Sequence, residues 1–489
     1  MIAKRQFAVP ALAVAVGLAG GLAFVAAGAN TSPVVAIGAT AVLLLGLAMV
    51  RYPVLGLYLT AAVVPLERLG RFTDDSSAVT FSAMRVVGLL ALGGLLVHAA
   101  VRRIRLRFGA PFWLYAVYAG FCLTTILHTT HRSGTIRACG AIIASLMFFF
   151  LVVNLARDYR LAERAVAVWL VATVLIGLYT IADWRLGEAP IEEATIGETR
   201  HRFSTVWRDV SEWEHLGGLK RAMGSTSHAA VYGINLILTL PFFAYLFRRR
   251  RRRTTRAALA AGAAVVAYNI FLTNTRAAIL LAGLVVAMIL AARLFRPRVP
   301  DVLVGLLVLV ALLAVMPPSV YERVLDPDNY SFEASGTARI RLEYWKGGLE
   351  ISRDHWLTGV GVGNQNVVPK YVKGYGPKQT TVHNEYLQTF MEVGVFGWLA
   401  HFGFVGLVLW QARRAARFYR SRPDAQPERW FLVAAQIAMV GVLIYGLQVD
   451  VFHFPLKGWW LIAGIASAMY LRAREMPAPC AAPKGGQEA

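Results

Sequence analysis

Acidic residues are scarce in this chain: 28 Asp and Glu stand against 50 Lys and Arg, a formal net charge of +22. Cysteine is scarcer, with three in 489 residues. Cys122 and Cys139 fall in or beside apolar segments and Cys480 lies in the polar C-terminal tail. Neither a disulfide framework nor a metal-ligand spacing can be built from them. Alternating ten-residue strands, the signature of a membrane β-barrel, do not occur. No clear internal repeat is present, and with it the inverted halves of many transporters are missing. No enclosed carboxylate cluster is evident, so no metal and no cofactor is expected.

Apolar sequence is what the chain has in quantity. It is 57% hydrophobic with a mean hydropathy of +0.53, whereas a soluble domain is about 45–50% apolar. Runs near 20 residues recur throughout, enough to cross a hydrocarbon core roughly 30 Å thick. Only helices and closed barrels satisfy the backbone in lipid, and the uninterrupted runs predict helices. Candidate spans cover about 8–28, 33–50, 53–67, 82–101, 111–128, 135–155, 164–183, 228–247, 257–273, 276–295, 301–317, 388–411, 430–448 and 457–472. The fold expected is therefore an all-α polytopic membrane protein with about 12, and up to 14, transmembrane helices. The segment 53–67 is short enough to be re-entrant. The first run, after Lys4 and Arg5, is longer than a signal-peptide core and reads as an uncleaved helix.

The positive charge sits in short links. Arg102, Arg103, Arg105 and Arg107 form one cluster, 248–253 a second, Arg293, Arg296 and Arg298 a third. Arg413, Arg414, Arg417, Arg420 and Arg422 form a fourth, and Arg472 and Arg474 a fifth. Alternate links carry them, as the positive-inside rule expects of a membrane protein. These are topology anchors against anionic lipid rather than a nucleic-acid surface. An even span count puts both termini on the basic, cytoplasmic side.

The chain divides into N-terminal spans (1–183), a first outer loop (184–227), central spans (228–317), a large outer loop (318–387), C-terminal spans (388–474) and a disordered tail (475–489). Both loops lie opposite the arginine clusters and are rich in Trp, Tyr, Gly and Pro. Loops on a rigid scaffold are where sites are built. In the second loop, Asp326-Pro327-Asp328 punctuates the start and a helical pattern runs over 336–352. Ile340, Tyr344 and Ile351 repeat at helical spacing, as do Leu342, Trp345 and Leu349. This predicts an amphipathic helix on the membrane surface, followed by a flexible turn at Gly359, Gly361 and Gly363.

Three places carry chemistry. Thr273-Asn274-Thr275-Arg276 makes a tight turn between two spans, and an arginine at membrane depth usually faces a cavity or a partner rather than lipid. Arg339 and Arg341 lie on the loop helix, Arg341 sharing a face with Trp345 four residues on; guanidinium is a fixed fork suited to phosphate oxygens. Lys220 and Arg221, before the eighth candidate span, are of the same class. His383-Asn384-Glu385-Tyr386-Leu387 marks where the second loop re-enters the membrane, and an imidazole there can accept a proton. Gly359-Val360-Gly361-Val362-Gly363 lacks the strand-turn-helix context of a dinucleotide fingerprint. Asp74-Asp75 is a poor metal site, and His128 and His131 read as interfacial.

Taken in order, Thr273-Asn274-Thr275-Arg276, Arg341 with Trp345, Trp356-Leu357-Thr358-Gly359-Val360-Gly361-Val362-Gly363 and His383-Asn384-Glu385-Tyr386-Leu387 resemble the O-antigen ligase and polymerase superfamily over about 225–410. The resemblance implies about a dozen helices with a large periplasmic loop, in the bacterial inner membrane, with the active site on the periplasmic face. It implies a metal-independent inverting glycosyltransferase. The donor would be an O-antigen glycan on undecaprenyl diphosphate, the acceptor the lipid A core, and the product lipopolysaccharide. Arg276 and Arg341 would bind the diphosphate and His383 would activate the acceptor hydroxyl. Arg339 competes for the place of Arg341, whose offset from Trp345 fits the pattern better, and Arg221 in Arg221-Ala222-Met223-Gly224 matches a further family arginine. The same motifs serve polymerases and protein O-oligosaccharyltransferases; a lipid-linked glycan transporter or flippase is the alternative of another class.

Overall fold

The computed structural model describes residues 33–67, 69, 82–190, 203–209, 219–296, 299–314, 316, 321, 337–364, 367–371, 381–450 and 456–477. The candidate span 8–28, Asp74-Asp75, Asp326-Pro327-Asp328 and the tail beyond 477 fall outside these residues.

Among the described residues, six α-helices precede the first loop: α1 (Pro33–Arg51), α2 (Val54–Val63), α3 (Ala83–Arg102), α4 (Ala110–Thr124), α5 (Arg132–Leu155) and α6 (Tyr159–Leu186). The sequence starts two of them with polar caps. The Ser82 hydroxyl accepts from Arg85 N at 3.3 Å, and Asp158 Oδ1 accepts from Arg160 N at 2.7 Å, each satisfying a donor that the first helical turn leaves open. The loop then folds as an antiparallel pair, β1 (Val206–Asp209) with β2 (Leu219–Ala222), in which Trp207 stands opposite Arg221. This hairpin departs from the all-α expectation. Trp207 is buried against Met223 and Ala229, so the pairing is held by a small apolar cluster.

The segment expected as one span over 228–247 is two helices, α7 (Ala229–Ile237) and α8 (Leu240–Arg249). Pro241 in the first turn of α8 has no N–H to give the preceding turn, so the helix steps there. After these come α9 (Arg253–Leu272), α10 (Arg276–Ala291), α11 (Val299–Ala314), α12 (Thr337–Asp354) and the single turn α13 (Val368–Tyr371). The chain closes with α14 (Glu385–Arg420), α15 (Gln426–Tyr445) and α16 (Lys457–Glu475).

Among the described residues, eight helical segments are long and apolar enough to cross a membrane, and the shorter apolar stretches Thr40–Arg51, Val54–Val63 and Arg276–Ala291 accompany them. That is fewer than the count read from hydropathy. Part of the difference is length: at 1.5 Å per residue, the 16 residues of α10 reach about 24 Å, short of a hydrocarbon core roughly 30 Å thick. Another part is charge, since the 19 residues of α16 include Lys457, Arg472, Arg474 and Glu475. Helix α16 is buried at every residue from 458 to 470 and forms the axis of the bundle rather than a lipid-facing wall. Its Trp460 stacks on Phe404 at 5.4 Å, and Phe404 meets Phe149 edge-on at 5.4 Å. Helix α11 is the opposite case, with Val299, Leu303, Leu306, Leu307 and Val310 all exposed. So many bare leucines are stable only against lipid.

The arginine-rich links gather at one end of the bundle. Arg107 pairs with Glu475 at 2.6 Å and Arg472 with Asp158 at 3.3 Å. Arg157 donates to Arg105 O at 3.0 Å, and Arg248 to Arg293 O at 3.2 Å. Glu163 lies 3.7 Å from Arg250. Arg221, Arg276, Arg341 and His383 lie away from that end.

Candidate functional site

Arg221 is the third residue of β2, and Thr273-Asn274-Thr275 joins α9 to α10. The turn closes because Asn274 takes the left-handed conformation at φ 50°, which Asn tolerates better than most residues. The Arg221 guanidinium is buried against it, donating to Thr275 Oγ1 at 3.1 Å and Thr273 O at 3.4 Å. Arg276, half-buried, is the first residue of α10, directly after Thr275. Two arginines therefore share one turn. Lys220 is turned aside: its Nζ donates to Trp184 O at 2.6 Å and sits 5.1 Å from the indole centroid. Burial, then the neighbouring Arg208, pull the Lys220 pKa below its ordinary value.

Helix α12 packs on α14, with Tyr344 and Ile351 buried beside Val360, Val368, Val382 and Met391. Arg341 is half-buried and donates to Gln448 Oε1 at 3.2 Å, whereas Arg339, two residues earlier, is exposed. Tyr445, at the end of α15, lies within electrostatic reach of both Arg221 and Arg341. Its hydroxyl donates to Ala230 O at 3.3 Å. Arg221 and Arg341 thus both lie near the end of α15.

The turn after α15 also holds His383. Glu385 N donates to Gly446 O at 2.8 Å and Asn384 Nδ2 to Leu447 O at 3.1 Å. Asn384 caps α14, accepting from Tyr386 N and Leu387 N at 3.1 Å each. His383 itself is in the left-handed region at φ 51°, strain of the kind that persists where surroundings over-determine the backbone. Its Nδ1 lies 3.7 Å from Asp450 Oδ1. The Thr381 hydroxyl stands between them, donating to Asp450 Oδ1 at 3.3 Å and lying 3.4 Å from His383 Nδ1. With its only hydrogen on Asp450, that hydroxyl offers the imidazole a lone pair. That arrangement suits the tautomer with the ring proton on Nδ1 and the lone pair of a neutral His383 on Nε2. Asp450 is buried while the imidazole is partly open.

Beneath the histidine runs a buried polar chain. Val382 N donates to Gln388 Oε1 at 3.0 Å, Gln388 Nε2 to Glu392 Oε1 at 2.9 Å, and Gly363 N to the same Glu392 oxygen at 3.0 Å. The glycine segment is consequently no flexible turn. Val360 N donates to Met391 O at 2.9 Å, Gly361 N to Glu392 O at 3.0 Å and Val395 N to Trp356 O at 2.8 Å. Helix α14 breaks at Gly394, at φ 66°, to receive it. A Cβ on Gly359 would strike the Glu392 carbonyl, and one on Gly394 the Leu357 carbonyl. The two glycines let loop and helix backbones interlock.

Among the sequence candidates, Arg221 and Arg276 adjoin one turn, Arg341 and His383 contact the 446–450 segment, and Arg339 stands apart. Sequence reasoning missed Thr381, Gln388, Glu392, Gln448 and Asp450. The available signal was an acid, Asp450, in an otherwise apolar stretch between two spans with no basic residue to mark it as an anchor. Among the described residues, no three His, Cys, Asp or Glu side chains group as a metal cage.

No curated protein matches the chain. Residues 261–402, which hold Arg276, Arg341 and His383, match the family model for O-antigen ligase.

Proposed function

We propose that the protein is a glycosyltransferase that moves an O-antigen glycan from undecaprenyl diphosphate to a sugar of the lipid A core, at the periplasmic face of the inner membrane. The arginine-rich end of the bundle is then cytoplasmic, by the positive-inside rule, and the site end faces outward. Arg221, Arg276 and Arg341 would grip the diphosphate. The acceptor hydroxyl attacks the anomeric carbon as its proton passes to His383 Nε2. The carbon–oxygen bond to phosphate breaks, and both its electrons leave on the diphosphate. One displacement inverts the anomeric centre, and the developing charge falls on preorganised guanidinium groups, each worth about 10²–10³ in rate. No metal or cofactor enters this scheme.

The observation that carries the reading is the placement of His383 beside a buried acid: its Nδ1 lies 3.4 Å from the Thr381 hydroxyl and 3.7 Å from Asp450 Oδ1, which favours Nε2 as the basic atom. Its test is reconstitution of the purified protein with undecaprenyl-diphosphate glycan and lipid A core, scored for a new glycosidic bond. Transfer lost in His383→Asn and present in the parent supports the reading. Transfer to a second lipid-linked glycan or to a protein hydroxyl, and not to the core, would reassign it to a polymerase or a protein O-oligosaccharyltransferase. Movement of glycan across the bilayer with no new bond would make it a transporter.

A further inference from the structure

Helix α12 has a circumference that its packing on α14 leaves half used. On a wheel of 3.6 residues per turn, its side chains sort into four successive sectors. Tyr344, Gly348 and Ile351 form the first, buried on the bundle. Next come Trp345, Leu342 and Leu349; Leu342 is 40% and Leu349 60% exposed, while Trp345 is only partly covered. Beyond them are Arg339, Lys346 and Arg353, all exposed. The last sector holds Glu343, Glu350 and Asp354, with Lys346 tied across the boundary to Glu343 at 2.9 Å.

That order has a physical meaning. A helix exposed to water on its free side has no reason to place apolar, basic and acidic sectors in sequence around its axis. A helix lying in a bilayer interface does: apolar groups reach the acyl boundary, bases extend to the phosphates, and acids stay toward water. The apolar sector also continues past the helix end. Trp356 and Leu357 are 55% and 46% exposed, and Trp356 O accepts from Val395 N. The residue after Val395 is Phe396, 53% exposed on the spanning helix α14. The exposed apolar residues of α12 are therefore followed by others that adjoin an exposed apolar residue of a span.

We infer that α12 is an interfacial helix, seated in the phospholipid headgroups at the site-bearing end of the bundle through Leu342, Leu349 and Trp356. Arg339, Lys346 and Arg353 contact lipid phosphate. Arg341, on the side of the helix toward Gln448, is thereby held at headgroup depth. Arg339 becomes a lipid anchor rather than part of the site. The inference needs only a membrane location, and it stands or falls separately from the transfer chemistry.

The test uses the full chain in nanodiscs of phosphatidylcholine and phosphatidylglycerol, with purified protein and lipid as the sole components. In a Cys480→Ser background, with buried Cys122 and Cys139 retained, Leu349→Cys and Glu350→Cys are each labelled with bimane. The unsubstituted background serves as the blank. Lipid brominated high on the acyl chain should quench the label at 349 about threefold or more strongly than the label at 350, because the apolar sector sits deeper. Adding Lys346→Glu with Arg353→Glu should at least halve the quenching at 349. Equal quenching at the two positions, or none at 349, overturns the seating. Quenching at 349 that survives both charge reversals overturns the phosphate contacts.

Discussion

His383 Nδ1 and Asp450 Oδ1 stand 3.7 Å apart, too far for a direct hydrogen bond and close enough for strong attraction once the imidazole is charged. Thr381 fills the gap. In the proposed transfer Asp450 would act as a positioning residue, favouring one tautomer and stabilising the imidazolium formed when the acceptor loses its proton. Asp450→Asn should lower kcat for transfer by about 10²–10⁴ with donor KM changed little. Asp450→Glu should recover part of the loss. A merely structural Asp450 would instead lower Tm and protein yield, with the specific activity of the folded fraction intact. Single-turnover transfer and a melting curve on the same preparation separate the two.

At residue 383 the backbone itself discriminates between substitutions. Asn visits the left-handed region with less strain than Ala, for which it costs roughly 1–2 kcal/mol. His383→Asn should therefore melt near the parent and His383→Ala a few degrees lower, while both lose transfer by at least about 10². Activity retained in His383→Asn would remove the histidine from the proton-transfer step.

The arginines separate by what they touch. Arg221 uses two donors on the 273–275 turn, and Arg341 donates to Gln448. A lysine supplies charge but not the fork. Arg276→Lys and Arg341→Ala should each cut kcat/KM by about 10²–10³, whereas Arg339→Ala should stay within about twofold. Kinetics against donor concentration read all three. An unchanged Arg276→Lys would mean that this side chain snorkels toward headgroups and takes no part in donor binding.

If guanidinium groups alone meet the diphosphate, chelator should leave turnover unaltered. Loss of activity in EDTA, restored by Mg²⁺ or Mn²⁺, would assign part of the charge stabilisation to a cation.

The helical membrane character and the helix of the second loop were readable from sequence because each depends on local pattern. Apolar runs mark spans, and 3.6-residue spacing marks α12. Arg276 stands out because a cation beside two apolar helices needs a reason. The partners of His383 were not readable. Asp450 reaches it only because the turn after α15 folds back on the start of α14, across a stretch of sequence that no local pattern links (383 to 450). Gln388 and Glu392 were hidden inside what hydropathy treats as one span. The burial of α16 was equally invisible, since a helix facing other helices and one facing lipid are both apolar. The β1–β2 hairpin escaped notice because its strands have four residues each, too few to display an alternation.

The interlock of Gly359 and Gly394 is the feature most exposed to a single methyl group. Gly394→Ala must accept a positive φ and place its Cβ on the Leu357 carbonyl, so helix α14 would tend to close across the break and expel the 356–364 segment. That segment carries Gly363, whose amide holds Glu392, which in turn holds Gln388 and Val382 beside the histidine. The substitution should destabilise by at least about 2 kcal/mol and lower transfer by disordering His383. Glu392→Gln tests the same chain more gently. It keeps the helix intact and weakens the two hydrogen bonds accepted by one carboxylate oxygen, for about 1–3 kcal/mol. Melting temperature and transfer rate should fall together in both variants. If Glu392→Gln lowers stability while the folded protein transfers at the parental rate, the buried chain braces the helix break and does not position His383.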